Sequence, residues 1–197
     1  MIAPGLLLKK SNKKLVLILG DQLDLNGAAL QGFDTQHDQI IMVESANEAQ
    51  YVWSHKAKIA LFLSAMRHFA QKLKDKQYPL AYYSESPKTI TEVLREHLTK
   101  NQIQHLVCVE PGEWRLKQAI EDLASELNIQ LDIREDTHFF CTHAEFREWA
   151  SSKKELRLEY FYRLMRKKYA ILVDAEGNPE GGPVSYTHLT LPTKRIV

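Results

Sequence analysis

Cysteine is scarce in this chain: Cys108 and Cys141 are the only two in 197 residues. Two thiols support neither a disulfide framework nor a four-cysteine metal site, and they fit a reducing, cytoplasmic setting. No apolar run approaches the roughly 20 residues that a bilayer span requires, so no membrane partner is expected. The opening "MIAPGLLLKKSNKK" puts its lysines after its short apolar run, the reverse of a secretory signal, and residues 1–13 read as a disordered extension. Excess charge is missing as well. Lysine and arginine number 26 against 25 acidic residues, and a net charge of +1 gives no whole-protein case for nucleic acid or an anionic surface. Neither G-x-G-x-x-G nor G-x-x-x-x-G-K-[ST] occurs, so a dinucleotide or triphosphate grip lacks its glycines.

What is present is an alternation. Short, continuous apolar runs at Leu15–Leu19, Gln39–Val43, Leu80–Tyr83, His105–Val109 and Ile129–Ile133 read as strands buried on both faces. Between the second and third, Ile59, Phe62, Leu63, Met66, Phe69 and Leu73 recur at spacings of three and four, which predicts an amphipathic helix. A second helix is expected from "SPKTITEVLREHL", with Ser86 as N-cap and Pro87 in the first turn, and a third from about Glu113 to Leu127. Strand and helix in alternation predict an α/β fold: a doubly wound, five-stranded parallel sheet over residues 14–135 with helices on both faces. Residues 136–182 then read as helical. Thr142 with Glu145 forms a capping-box pattern for a helix through Trp149. Lys153 to Tyr169 holds seven basic residues and two acidic ones, with Tyr160, Phe161 and Tyr162 interleaved. That face suits either phosphates or a second domain.

In an open parallel sheet, the residues just past the carboxyl ends of the strands face the ligand crevice. After the first strand these are Gly20, Asp21 and Gln22; after the second, Val43 leads into Glu44, with Glu48 and Tyr51 at helical spacing beyond it. The carboxylates and the phenol together make an acceptor-rich wall that suits a neutral, hydroxyl-bearing ring compound and repels phosphate. A strand-to-loop turn and a solvated acidic turn are the plain alternatives. In "CVEPGEWR", Glu110 and Glu113 read as a turn into a helix rather than an acid–base pair, and Trp114 as packing. His138, Cys141 and His143 lack a nearby fourth ligand, so no metal site is assigned. The tail from about Val184, "VSYTHLTLPTKRIV", has no period, cap or partner element, and resembles translated adapter sequence; residues 183–197 are expected to be non-native.

Across residues 14–182, the ordered blocks "LVLILGDQL", "VESANEAQYV", "HKAKIALFLSAMRHFAQKL", "EPGEWR", "FREWASSKKELRLEYFYRLMRKK" and "GNPEGG" resemble the N-terminal domain of the photolyase-related proteins. These form the bacterial branch of the photolyase/cryptochrome superfamily that carries an iron–sulphur cluster and includes (6-4) photolyases. The resemblance implies a Rossmann-like domain that holds a ribityl lumazine antenna, with Gly20, Asp21, Gln22, Val43, Glu44, Glu48 and Tyr51 at the antenna-contacting positions. It also implies that residues 136–182 lead toward a helical C-terminal domain missing from this chain, which would carry FAD and a 4Fe-4S cluster and bind damaged DNA. No catalytic residue is then expected here. A blue-light photoreceptor of the same superfamily and a free-standing α/β small-molecule-binding module are the rival readings. A phosphoacceptor receiver would need paired acids after the first strand, where this chain has Gly-Asp-Gln.

Overall fold

A computed structural model describes residues 13–180, apart from 53 and 179. The expected extension, save Lys13, and the suspect tail lie outside these residues. Two compact units divide the chain near His138.

The first unit is a five-stranded, all-parallel sheet. Strands β1 (Lys14–Leu17), β2 (Gln39–Ser45), β3 (Leu80–Ser86), β4 (His105–Val109) and β5 (Gln130–Arg134) lie in the order β3-β2-β1-β4-β5. Helices α1 (Ala46–Tyr51), α2 (Lys56–Asp75), α3 (Ile90–Asn101) and α4 (Trp114–Leu127) occupy the connections, and a 3-10 turn, Ala28–Leu30, lies between β1 and β2. Alternate strand residues go to opposite faces. Leu15, Leu17, Ile41, Leu106 and Cys108 pack on α3 and α4 through Leu94, Leu98 and Ile120. Val16, Ile18, Ile40, Met42 and Val107 pack on Ala28–Leu30 and on Met66, Phe69 and Leu73 of α2. Each fully buried Leu or Ile contributes about 1.5–3 kcal/mol over its exposed state. The doubly wound sheet expected from the alternation is therefore present.

Three details differ from the expectation. Strands buried on both faces describe β1, β2 and β4, but β3 and β5 are the sheet edges and are only partly covered. Ser86 does not cap α3; it closes β3, and its hydroxyl accepts from the Lys88 N–H at 3.2 Å. Thr89 is the cap instead, in a capping box with Glu92. The T-x-x-E pattern was available in the sequence, and the Ser-Pro pair obscured it. Finally, α2 is not seated along its whole apolar stripe. Met66, Phe69 and Leu73 are buried, whereas Phe62 is 45% exposed, so the first turns overhang the carboxyl edge of the sheet.

A buried polar chain ties β2 and β3 to α3. Tyr83 Oη and His97 Nδ1 are hydrogen-bonded at 2.9 Å, and His97 Nε2 faces Gln39 Oε1 at 3.1 Å. Burial first, then the charges of Lys13 and Lys100, lowers the His97 pKa. Because the folded value lies below the ordinary one of about 6.5, the unfolded chain binds the proton first, so stability is full above pH 6.5 and falls as the pH drops through the folded value. Urea midpoints are thus expected to fall between pH 8 and pH 5.5, and His97→Gln to flatten that profile. An unchanged slope in the variant would assign the effect to His105, whose pKa burial also lowers.

The second unit contains α5 (His143–Ser151) and α6 (Leu158–Tyr169). Thr142 and Glu145 form the expected capping box. Phe146, Trp149 and Phe161 stack at centroid distances of 4.9–5.7 Å. The basic segment is largely engaged within the unit: Arg157 pairs with Glu155, Arg163 with Glu159 and Lys168 with Glu145, while the buried Arg166 donates to the carbonyls of Ile171 and Leu172. Lys153, Lys154 and Lys167 have no such partner among the described residues. No helix among those residues is long and apolar enough to cross a membrane.

Candidate functional site

The strand order reverses between β1 and β4, and the crevice at such a switch point is the default ligand site of an open parallel sheet. A cavity of about 290 Å³ opens at that carboxyl edge. Its floor is apolar, formed by Leu17, Leu19, Val43, Ile59, Phe62 and Met66 among others, and its polar groups are Asp21, Glu44, Ser45, Glu48, Ser54, Lys58 and Glu113. The overhanging turns of α2 supply one wall; the loop after β4, Pro111 and Gly112, supplies part of the other.

Five of the seven residues singled out in the sequence line this one cavity: Gly20, Asp21, Val43, Glu44 and Glu48. Gln22 and Tyr51 do not. Gln22 is buried and donates from Nε2 to the Glu110 carbonyl at 3.0 Å, which ties the loop after β1 to the end of β4. Its Oε1 is buried with no hydrogen-bond partner among the described residues. Tyr51 is 63% exposed and carries the Arg115 guanidinium 4.2 Å from its ring centroid. Among the described residues, the aromatic side chain lining the cavity is Phe62 rather than Tyr51. Nor do Glu44, Glu48 and Tyr51 share one helical face, because Glu44 belongs to β2 while the other two belong to α1.

Gly20 is small for a reason the sequence did not show. A Cβ there would meet Phe62 Cζ at 2.4 Å and Met66 Sδ at 2.8 Å, so the glycine admits α2. Asp21, beside it, is exposed and has no hydrogen-bond or ion-pair partner among the described residues, and the same holds for the Lys58 side chain. These two, with Ser54, are the polar groups on the wall with unfilled capacity among the described residues.

Glu44 is the opposite case. Arg67 donates Nε to Glu44 Oε1 and Nη2 to Oε2, both at 2.8 Å; the Glu85 N–H adds a third bond at 3.2 Å, and the Tyr82 hydroxyl a fourth. A carboxylate offers about four lone-pair positions, so this one is filled by the protein itself. Arg67, more than any other group, holds the Glu44 carboxyl below the usual carboxylate range. The same contacts, with burial foremost, raise the Tyr82 phenol. Glu48 and Glu113 share Arg115: Nη2 reaches Glu48 Oε2 at 2.5 Å and Nε reaches Glu113 Oε1 at 2.8 Å. Three of the four carboxylates on the wall are therefore neutralised by arginines that the sequence reading gave no role. A signal existed, since each buried acid requires a cation, but nothing local says which one.

The remaining candidates fall away from the chemistry. Glu110 takes the Lys117 ammonium at 2.6 Å while Glu113 turns to Arg115, so the two do not act on one another as acid and base. Trp114, expected to pack, is 71% exposed because it occupies the outer face of the first turn of α4. Among the described residues no group of three or more His, Cys, Asp or Glu is placed to hold a metal.

The chain is 42% identical over 173 residues to a (6-4) photolyase of Agrobacterium fabrum (strain C58 / ATCC 33970), a match covering 86% of this chain and 34% of that protein. It therefore spans about a third of the length of that relative. Residues 16–188 match the sequence profile of the deoxyribodipyrimidine photo-lyase-related proteins, and the chain belongs to that family.

Proposed function

We propose that the α/β unit holds a ribityl lumazine antenna for a light-driven DNA repair protein. One observation carries the reading: a single cavity at the strand-order switch point joins an apolar floor to a rim of oxygen acceptors. At about 290 Å³ it lies near the lower bound of small-molecule sites, roughly 300 Å³. The donor set fits the group. Val43, Ile59, Phe62 and Met66 suit a flat ring, and Asp21 and Lys58 have polar capacity left for hydroxyls or ring heteroatoms. Glu44 and Glu48 are fixed in place by their arginines, and the rim has no glycine-rich cradle for a phosphorylated ligand. When bound, the lumazine would supply light absorption and excitation transfer. The task of these residues would then be to orient the ring and exclude water from it, which needs no acid–base pair.

The whole protein would repair a pyrimidine lesion in DNA by electron transfer from reduced flavin, and the name of the Agrobacterium relative favours a (6-4) photoproduct. FAD and a 4Fe-4S cluster would be held by residues other than these, in a helical domain that is the natural partner of this unit. Titration with a ribityl lumazine is expected to give a saturable shift of its absorption band, with about tenfold weaker binding in Asp21→Ala, since removing a charged hydrogen-bond acceptor costs about 1.5–3 kcal/mol. Glu48→Ala should weaken binding less, because Arg115 already occupies that carboxylate. Absence of any saturable shift in both this chain and the complete protein would rule out the antenna. Light-dependent repair of a (6-4)-damaged oligonucleotide by the complete protein tests the enzyme, and its failure in a lumazine-binding protein would favour a photoreceptor.

A further inference from the structure

Arg115 breaks two local rules at once. It lies in the first turn of α4, where a cation opposes the helix dipole and none of the first-turn residues is acidic. The preceding Glu113 is the N-cap residue, yet its side chain makes no capping bond and turns to Arg115 instead. Departures from local preference mark places where tertiary or functional demands prevail. Here one guanidinium grips two cavity-wall carboxylates, Glu48 from α1 and Glu113 from the start of α4, while the Tyr51 ring covers it at 4.2 Å.

Helix α1 has few other anchors among the described residues. It has six residues, no capping side chain, and no buried side chain among those described. Its polar ties run to two places. Toward the start of α3, Ser45 Oγ donates to the Lys88 carbonyl at 2.9 Å and Asn47 Nδ2 to the Pro87 carbonyl at 3.0 Å. Toward α4, Glu48 and Tyr51 meet Arg115 alone. A helix this short is not self-supporting in water.

We propose that Arg115 is a positioning residue that clasps α1 to the start of α4, and so sets how fast a ligand leaves the cavity. The ligand half of this rests on the antenna reading; the clasp itself does not. The pairs are partly exposed, with side-chain exposures of 38% for Arg115, 26% for Glu48 and 47% for Glu113. Screening therefore limits the effect to about fivefold, and raised salt should weaken it.

The test compares wild-type protein with Arg115→Gln, Arg115→Lys and a control, Arg95→Gln, which removes a surface pair to Glu126. Without ligand, amide exchange across residues 46–52 is expected to quicken about fivefold in Arg115→Gln, less in Arg115→Lys, and not at all in the control. With a bound ribityl lumazine, dissociation should quicken by a similar factor in Arg115→Gln, and high salt should speed wild-type release but not that of the variant. Unchanged exchange in a folded Arg115→Gln protein overturns the clasp; quickened exchange with unchanged release overturns its control of the ligand. If wild-type protein does not bind the lumazine, the antenna reading fails and the exchange data still decide the clasp.

Discussion

Glu44→Gln is expected to lower the unfolding free energy by about 3 kcal/mol, through the loss of a buried carboxylate that satisfies four donors. The amide is nearly isosteric, so no void opens. Its NH2 group must, however, face either Arg67 Nη2 and the Glu85 N–H or Arg67 Nε and the Tyr82 hydroxyl, so donors meet donors in both orientations. Arg67, about half exposed at its side chain, can rehydrate and recover part of the loss. The Tyr82 hydroxyl, on a residue only partly exposed, has less access to water and carries most of the cost. Urea unfolding should show a midpoint lower by about 1–2 M at unchanged slope. The pH dependence fixes the cause. The folded-state carboxyl of Glu44 titrates below the ordinary carboxylate value, so its contribution is full above about pH 4.5 and is lost as the pH falls through the folded value. Wild type and variant should therefore converge in acid. A loss under about 0.5 kcal/mol at pH 7 would show that the pair is replaceable.

Gly20→Val is expected to weaken ribityl lumazine binding by at least tenfold while costing about 1–3 kcal/mol of stability, the usual range for overpacking. Two side chains stand in the way of a new Cβ, and they differ in freedom. The Phe62 ring end, 2.4 Å away, belongs to a residue 45% exposed and can swing outward. Met66 Sδ, 2.8 Å away, belongs to a residue 2% exposed and cannot leave without disturbing the contact of α2 with the sheet. Displacing Phe62 removes the aromatic wall, and the valine methyls enter the cavity directly. Calorimetric titration checks the affinity and thermal unfolding checks the stability. Wild-type affinity in Gly20→Val would place the ligand away from the end of β1.

Both predictions concern residues that the sequence had already singled out, yet for reasons that the structure changed. Gly20 stands after the first strand, where the ligand crevice is expected, and it leaves room for a helix. Glu44 was read as an open acceptor, and the protein fills it. Trp114 was read as packing, and it faces outward. In each case the residue type and the strand end were legible, because a strand end is marked by a change of composition within a few neighbours. What the side chain meets there was not, because its partners come from other segments.

The sequence by itself determined the five parallel strands, the apolar stripe of α2, the extent of α4, the capping box at Thr142 and the edge of the sheet that bears the cavity, since each depends on periodicity or spacing within a few residues. Tertiary structure alone decided that α2 overhangs that edge, that Glu44 closes on Arg67, 23 residues away, and that Glu48 closes on Arg115, 67 residues away. Hydrophobic period is a property of neighbours along the chain. The pairing of a buried charge is a property of neighbours in space, and it is settled only once the sheet has brought distant segments to one edge.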